Sequence, residues 1–128
     1  VLNTDVMTGT RLPAYCMSPG RAIMSRLPEA DVRAVIEASD LKQYTPATVT
    51  DPAKLMELIA KTRAQGYAVC FEEIFHGDIS IAAPIVGPAG RVAGAVSIAT
   101  TAARFARDEV EATYAPTIIA AARSISVP

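Results

Sequence analysis

The stretch that most constrains this chain is Glu72–Ala99, EEIFHGDISIAAPIVGPAGRVAGAVSIA. It reads as two strands, Asp78–Val86 and Arg91–Ala99, joined by the four-residue turn Gly87-Pro88-Ala89-Gly90. Proline at an inner turn position presets φ, and glycine reaches turn conformations that cost other residues more. Ile79, Ile81, Ala83 and Ile85 share one face of the first arm, and Val92, Gly94, Val96 and Ile98 one face of the second. The other face carries Asp78, Ser80, Ala82 and Pro84, with Ser97 and Ala99 on the second arm. A strand that is apolar on one side and small on the other is covered on both sides. Hydroxyls and a carboxylate on an otherwise apolar floor form a candidate small-molecule site. The same pattern also suits a packed hairpin whose serines bond the neighbouring backbone.

The 128 residues make one domain, long enough to bury roughly two thirds of its unfolded surface. Hydrophobic residues reach 51% and aromatics only 5%, with no Trp, which excludes a disordered chain. Lys+Arg 12 against Asp+Glu 13 leaves a net charge of −1, so composition offers no nucleic-acid footprint. If this protein acts on DNA, another part of the polypeptide must bind it. No apolar run approaches the ~20 residues a membrane helix needs, and no signal peptide is visible. Cys16 and Cys70 form no CxxC pair, and with one histidine a metal site is not expected. A reducing cytoplasm is the simplest setting. The chain opens on Val1 with one short possible strand, Leu2–Met7, as a piece of something longer would.

Thr8–Pro13 is turn-rich, and Ser18-Pro19 then carries a helix-start signature, Ser as N-cap and Pro at the first helical position. The helix is expected over Pro19–Leu27, with Ile23, Met24 and Leu27 inward. Its free amides offer an anion site, and Gly20 leaves room for a ligand to approach. Tyr15 and Cys16 could line a pocket or the core. A second helix runs from Pro28 to Ser39 with Val32, Val35 and Ile36 buried. A third, capped by Thr50-Asp51-Pro52 and running through Gln65 to Gly66, buries Leu55, Leu58, Ile59 and Thr62. Tyr67–Glu73 is a strand, and Arg107–Ile125 a last helix with a kink expected at Pro116. Its stripe is Val110, Tyr114, Thr117 or Ile118, Ala121 and Ile125. The order implies an antiparallel sheet with helices packed on it, an α+β fold.

No G-x-S-x-G, P-loop or dinucleotide fingerprint is present. Glu72 and Glu73, adjacent on a strand, point to opposite faces, one solvated and the other capping a loop. His76 lacks an evident Ser or Cys partner, and nothing near Cys70 in the sequence supplies the electropositive niche that would activate it. The residues argue for binding over catalysis, with no cofactor.

Gly9-Thr10-Arg11-Leu12-Pro13, followed by Gly20-Arg21-Ala22, resembles a signature of the IclR family of bacterial transcription regulators. Further signals follow in order: Tyr44-Thr45-Pro46-Ala47-Thr48, Arg63-Ala64-Gln65-Gly66-Tyr67, Glu72-Glu73 with Gly77, Ile81-Ala82-Ala83-Pro84-Ile85, and Ala95-Val96-Ser97-Ile98 with Arg104. The likeness spans Gly9 to Ser126. It implies the C-terminal effector-binding domain, GAF-like, which binds a small metabolite and acts through dimer and tetramer contacts on a separate N-terminal winged helix–turn–helix. Neither that DNA-binding domain nor the first strands of the effector sheet is evident, so either this is a fragment or an exposed edge must be covered by another chain. Carried over by motif, the pocket comprises Leu12, Ser18, Pro19, Cys70, Asp78, Ser80, Ser97 and Ala99. Cys70 stands where the family often has an acid, and Asp78 where an apolar residue is common. The segment Leu12–Arg21 is most similar to regulators of aromatic-acid catabolism. That implies a carboxylate or aromatic-acid effector, its carboxylate held by helix amides and serines and its ring by Tyr15 and apolar walls. Two other readings remain: a GAF-like enzyme working through Cys16 and Cys70, and a dimerisation module without ligand.

Overall fold

A computed structural model describes residues 7–126, so the proposed strand Leu2–Met7 lies outside the described residues except for its last position. Seven elements follow in order: α1 (Ser18–Met24), α2 (Glu29–Ala38), α3 (Pro52–Gln65), β1 (Ala68–Phe71), β2 (Asp78–Val86), β3 (Val92–Thr101) and α4 (Arg107–Ile125). The strands form one antiparallel sheet in the order β1-β2-β3. In the register, Cys70 pairs with Ser80, and Ser80 with Ala99. One step along, Ala68 pairs with Ala82, and Ala82 with Ser97.

The two faces of the sheet are covered by different helices. On the apolar face, Val69, Ile79, Ile81 and Ala83 meet Val110, Ala115, Ile118 and Ala122 of α4. Ile79 and Ile81 are fully buried, each contributing on the order of 2 kcal/mol by leaving water. Of the two alternatives at α4's centre the structure takes Ile118 and leaves Thr117 in solvent; Ile125, expected in the stripe, is exposed. The helix is continuous through Pro116, which is exposed. On the opposite face α1 lies across the strands, Ala22 packing on Ala68 and Ala82 with Ala95 against them. These alanines explain much of the small-residue face: without larger side chains, helix and sheet approach closely.

Beyond α1, the helices α2 and α3 enclose a second cluster of Tyr15, Cys16, Met24, Val32, Ile36, Leu55 and Ile59. Val35, expected in that stripe, is instead 38% exposed. Asp51 caps α3 by accepting from the Ala53 N–H, and Gly66 ends it at φ 90, a left-handed conformation that glycine adopts without penalty.

Strand β1 stops at Phe71, two residues short of the expected end, because Glu72 takes φ 54. Such a conformation costs a non-glycine residue about 1–2 kcal/mol. Three contacts hold it in place. The Glu72 N–H donates to the Asp78 carbonyl, its own carbonyl accepts from the Thr45 hydroxyl, and its carboxylate accepts from the Gly77 N–H. Glu72 is therefore the loop-capping member of the acidic pair.

Candidate functional site

The site is built outward from the row Cys70, Ser80, Ala99. Two-residue periodicity puts these side chains on the α1 face, with Asp78 and Ser97 one row away on either side. Ser18, expected as the N-cap of α1, is its first helical residue, and its fully buried hydroxyl donates to Ser80 Oγ at 2.7 Å. The floor serine thus bonds a helix side chain rather than neighbouring backbone. On β3 the same face reaches solvent: Ser97 and Ala99 are exposed. Asp78 is half-buried and its carboxylate accepts no hydrogen bond among the described residues, so desolvation raises its pKa.

The remaining expected residues lie apart from this row. Tyr15 is buried in the α2–α3 cluster, its hydroxyl donating to the Lys42 carbonyl at 2.6 Å. Leu12 is on the exposed loop before α1, and Pro19 is half-buried in the first turn. Pro19 also removes one amide from the α1 terminus. Gly20 is needed for a different reason than expected. A Cβ there would collide with the Ala14 carbonyl and Cα, so its close neighbour is the chain's own 3₁₀ turn rather than a ligand.

Two functional neighbours were not singled out from sequence. Arg21, 2% exposed, reaches from α1 to Glu73, 7% exposed, through two parallel bonds of 2.8 and 2.6 Å. Glu73 is therefore not solvated, but half of a buried ion pair. Its carboxylate also accepts from the Val49 N–H, and Arg21 Nε donates to the Tyr15 carbonyl. One pair of charges thereby joins α1, the loop before it, the Thr45–Val49 segment and the end of β1. The signal was the spacing Ser18, Arg21, Ala22, Ser25: all four are buried, at the i, i+3, i+4, i+7 spacing of one helix face. Polar types on that face concealed it, since apolar periodicity pointed to Met24 instead.

Cys16 and Cys70 are both buried free thiols. Burial, reinforced by the Glu73 carboxylate, pushes Cys16 up to about 11. Burial raises Cys70 further, against the pull of the Arg21 guanidinium. Neither thiol is ionised near neutral pH, and thiolate is the form a thiol nucleophile requires. Among the described residues no His, Cys, Asp and Glu cluster could hold a metal, and no helix is long and apolar enough to cross a membrane.

Comparison with known proteins gives a consistent result. Residues 1–127 match the family described as bacterial transcriptional regulator IclR C-terminal. The Pca regulon regulatory protein of Pseudomonas putida is 36% identical over 125 residues, covering 98% of this chain and 43% of that protein. The regulator XynR of Escherichia coli is 35% identical over 96 residues, covering 75% of this chain and 38% of its own. The chain thus spans about two fifths of the length of these curated relatives. A transcriptional regulator from Rhodococcus sp. RHA1 superposes with a TM-score of 0.90 at 34% identity, covering 98% of this chain and 51% of that one. The inducer-binding domain of a PobR double mutant from Acinetobacter, crystallised with 3-hydroxybenzoic acid, gives 0.85 at 28% identity, covering 95% and 72%.

Proposed function

The chain belongs to the IclR C-terminal family of bacterial transcriptional regulators, and from that premise we propose that it is the effector-sensing domain of such a regulator. Its effector is a small carboxylate or aromatic acid, lying on the β2–β3 floor beside α1. The observation that carries this reading is the exposed Ser97–Ala99 step next to the buried Ser18–Ser80 hydrogen bond, a small-residue floor with hydroxyls to orient a polar group. Support comes from PobR, whose inducer-binding domain shares the fold and was crystallised with 3-hydroxybenzoic acid. The effector would favour one seating of α1 on the sheet, and its differential affinity for the two seatings limits the response. Cys70, Ser80, Asp78, Ser97 and Ala99 would form the floor, Ser18 and Pro19 the α1 wall, and Leu12 the loop side. Tyr15 would act from behind α1. DNA binding would belong to a separate domain of the full regulator, and assembly to a homodimer or tetramer. Binding is favoured over thiol catalysis because both cysteines are buried and protonated.

The test is thermal unfolding with 3-hydroxybenzoate, short 2-oxo acids and neutral metabolites. A ligand at ~100 times its Kd adds about 2.7 kcal/mol, several degrees for a domain this size. Ser97→Leu, on an exposed position, is expected to remove that shift and leave the unliganded midpoint nearly unchanged. Silence across the panel from a folded chain would favour the ligand-free dimerisation module.

A further inference from the structure

On the side of α1 away from the sheet, the C-terminal end of α1, the start of α2 and the middle of α3 surround a cavity of about 440 Å³. We propose that this groove is a second ligand site, distinct from the β2–β3 floor, and that it takes an amphipathic carboxylic acid: a short aliphatic or aryl-aliphatic body with one anionic head.

Size and lining argue for the body. The volume falls in the ~300–1,000 Å³ range of small-molecule pockets. Met24, Val32 and Ile59, all nearly fully buried, form the floor, and Leu27 and Met56 the half-buried walls. Two thioether side chains make the walls adaptable to an irregular apolar shape. The polar groups at the rim argue for the head. Ser25 is occupied, its hydroxyl donating to the Ala22 carbonyl at 2.6 Å. Glu29 is paired with Arg33 at 3.1 Å, and Glu57 lies 3.9 Å from Lys54. Arg63 alone among the rim charges has no ion pair or side-chain hydrogen bond among the described residues, and it stands exposed at the mouth. A guanidinium beside an apolar groove suits a carboxylate attached to an apolar stem. α1 separates this groove from the floor, turning Met24 toward one and Ser18 and Ala22 toward the other.

The chain has four methionines, and their methyl groups read the site directly. Met24 and Met56 line the groove, while exposed Met7 and half-buried Met17 do not. With octanoate as probe and ¹³C-methyl methionine labelling, saturable shifts are expected at Met24 and Met56 and not at Met7. Octanol, the same body without charge, is expected to bind several-fold more weakly. Ala60→Phe places a ring on the exposed α3 position at the groove and is expected to weaken octanoate at least tenfold. Arg63→Gln should weaken octanoate about threefold and leave octanol unchanged, in keeping with an exposed charge. Absence of shifts at Met24 and Met56 at millimolar octanoate, or indifference to Ala60→Phe, overturns the site. Equal binding of octanol and octanoate overturns the assignment of the head. Binding of 3-hydroxybenzoate to the floor is read separately through Ser97→Leu, so failure of either site leaves the other standing.

Discussion

Arg21 and Glu73 are the residues on which the region around α1 most depends. A buried bidentate pair is costly to desolvate, and its removal in halves is worse, because the surviving charge has no water to return to. Glu73→Gln is expected to lower unfolding stability by about 3 kcal/mol, seen as a lower urea midpoint with unchanged slope. Arg21→Met with Glu73→Leu should lose less than the single change, since both charges then leave together. Asp78 works in the opposite direction. Its folded pKa lies above its unfolded value because it is partly desolvated with no partner. The folded state then holds the proton more tightly, so stability falls as pH rises from the unfolded pKa through the folded one. Asp78→Asn is expected to flatten that acid-side slope and to raise the midpoint at pH 7. It should also tighten a carboxylate on the floor by up to ~1 kcal/mol, through loss of a like charge. Titration calorimetry at pH 7 checks the second effect, and an unchanged or weakened affinity would place the ligand's charge far from Asp78.

At the scale of elements, α1 is a short helix buried on two sides, and it stays in place through what it packs against. Seven residues are too few to hold a helix in isolation. Its seat needs alanines below, methionine behind and a glycine where the preceding turn crosses. Gly20→Ala would push a methyl group into the Ala14 backbone, which has no flexible end to move aside. A loss of about 1–3 kcal/mol is expected from such overpacking, together with reduced response to any floor ligand, because the wall moves with the helix. The measurement is a paired urea titration and ligand titration. A change in stability alone would show that the seating of α1 does not govern the site. The helix α3 contrasts with it: its cap, its apolar periodicity and its terminal glycine all agree, which is why it starts within the expected capping segment and ends at Gln65 as expected.

Across the whole molecule, coverage is uneven. The central strand β2 is paired on both edges and roofed by a helix on each face, whereas β3 is an edge strand among the described residues. Its α1-face positions Ala93, Ser97 and Ala99 reach solvent. In an antiparallel pair the amides of an edge strand point alternately inward and outward. Hydrogen exchange of this chain is therefore expected to show β2 amides protected to near the global unfolding energy and every second β3 amide exchanging orders of magnitude faster. Uniform protection along β3 would reveal that a further strand or a second copy covers that edge.

Much of this architecture was written locally. Alternation of isoleucine with small residues set the two faces of β2, the Gly-Pro-Ala-Gly turn set the hairpin, and Asp51 and Gly66 set the ends of α3. The floor residues Ser80, Ser97 and Ala99 were legible because a strand has period two, so a face can be read without knowing what covers it. The family likeness, too, lay in motif order alone, and the match over residues 1–127 agrees with it. The tertiary structure decided what depends on residues far apart in sequence. It brought Ser18 to Ser80, 62 positions away, and Arg21 to Glu73, 52 away. It turned Tyr15 to the far side of α1, where its hydroxyl meets the Lys42 carbonyl, and bent Glu72 out of the strand, where its carbonyl meets the Thr45 hydroxyl. Each of these rests on a partner that comes within reach only after the sheet and helices have packed, and polar groups choose partners by geometry rather than by periodicity.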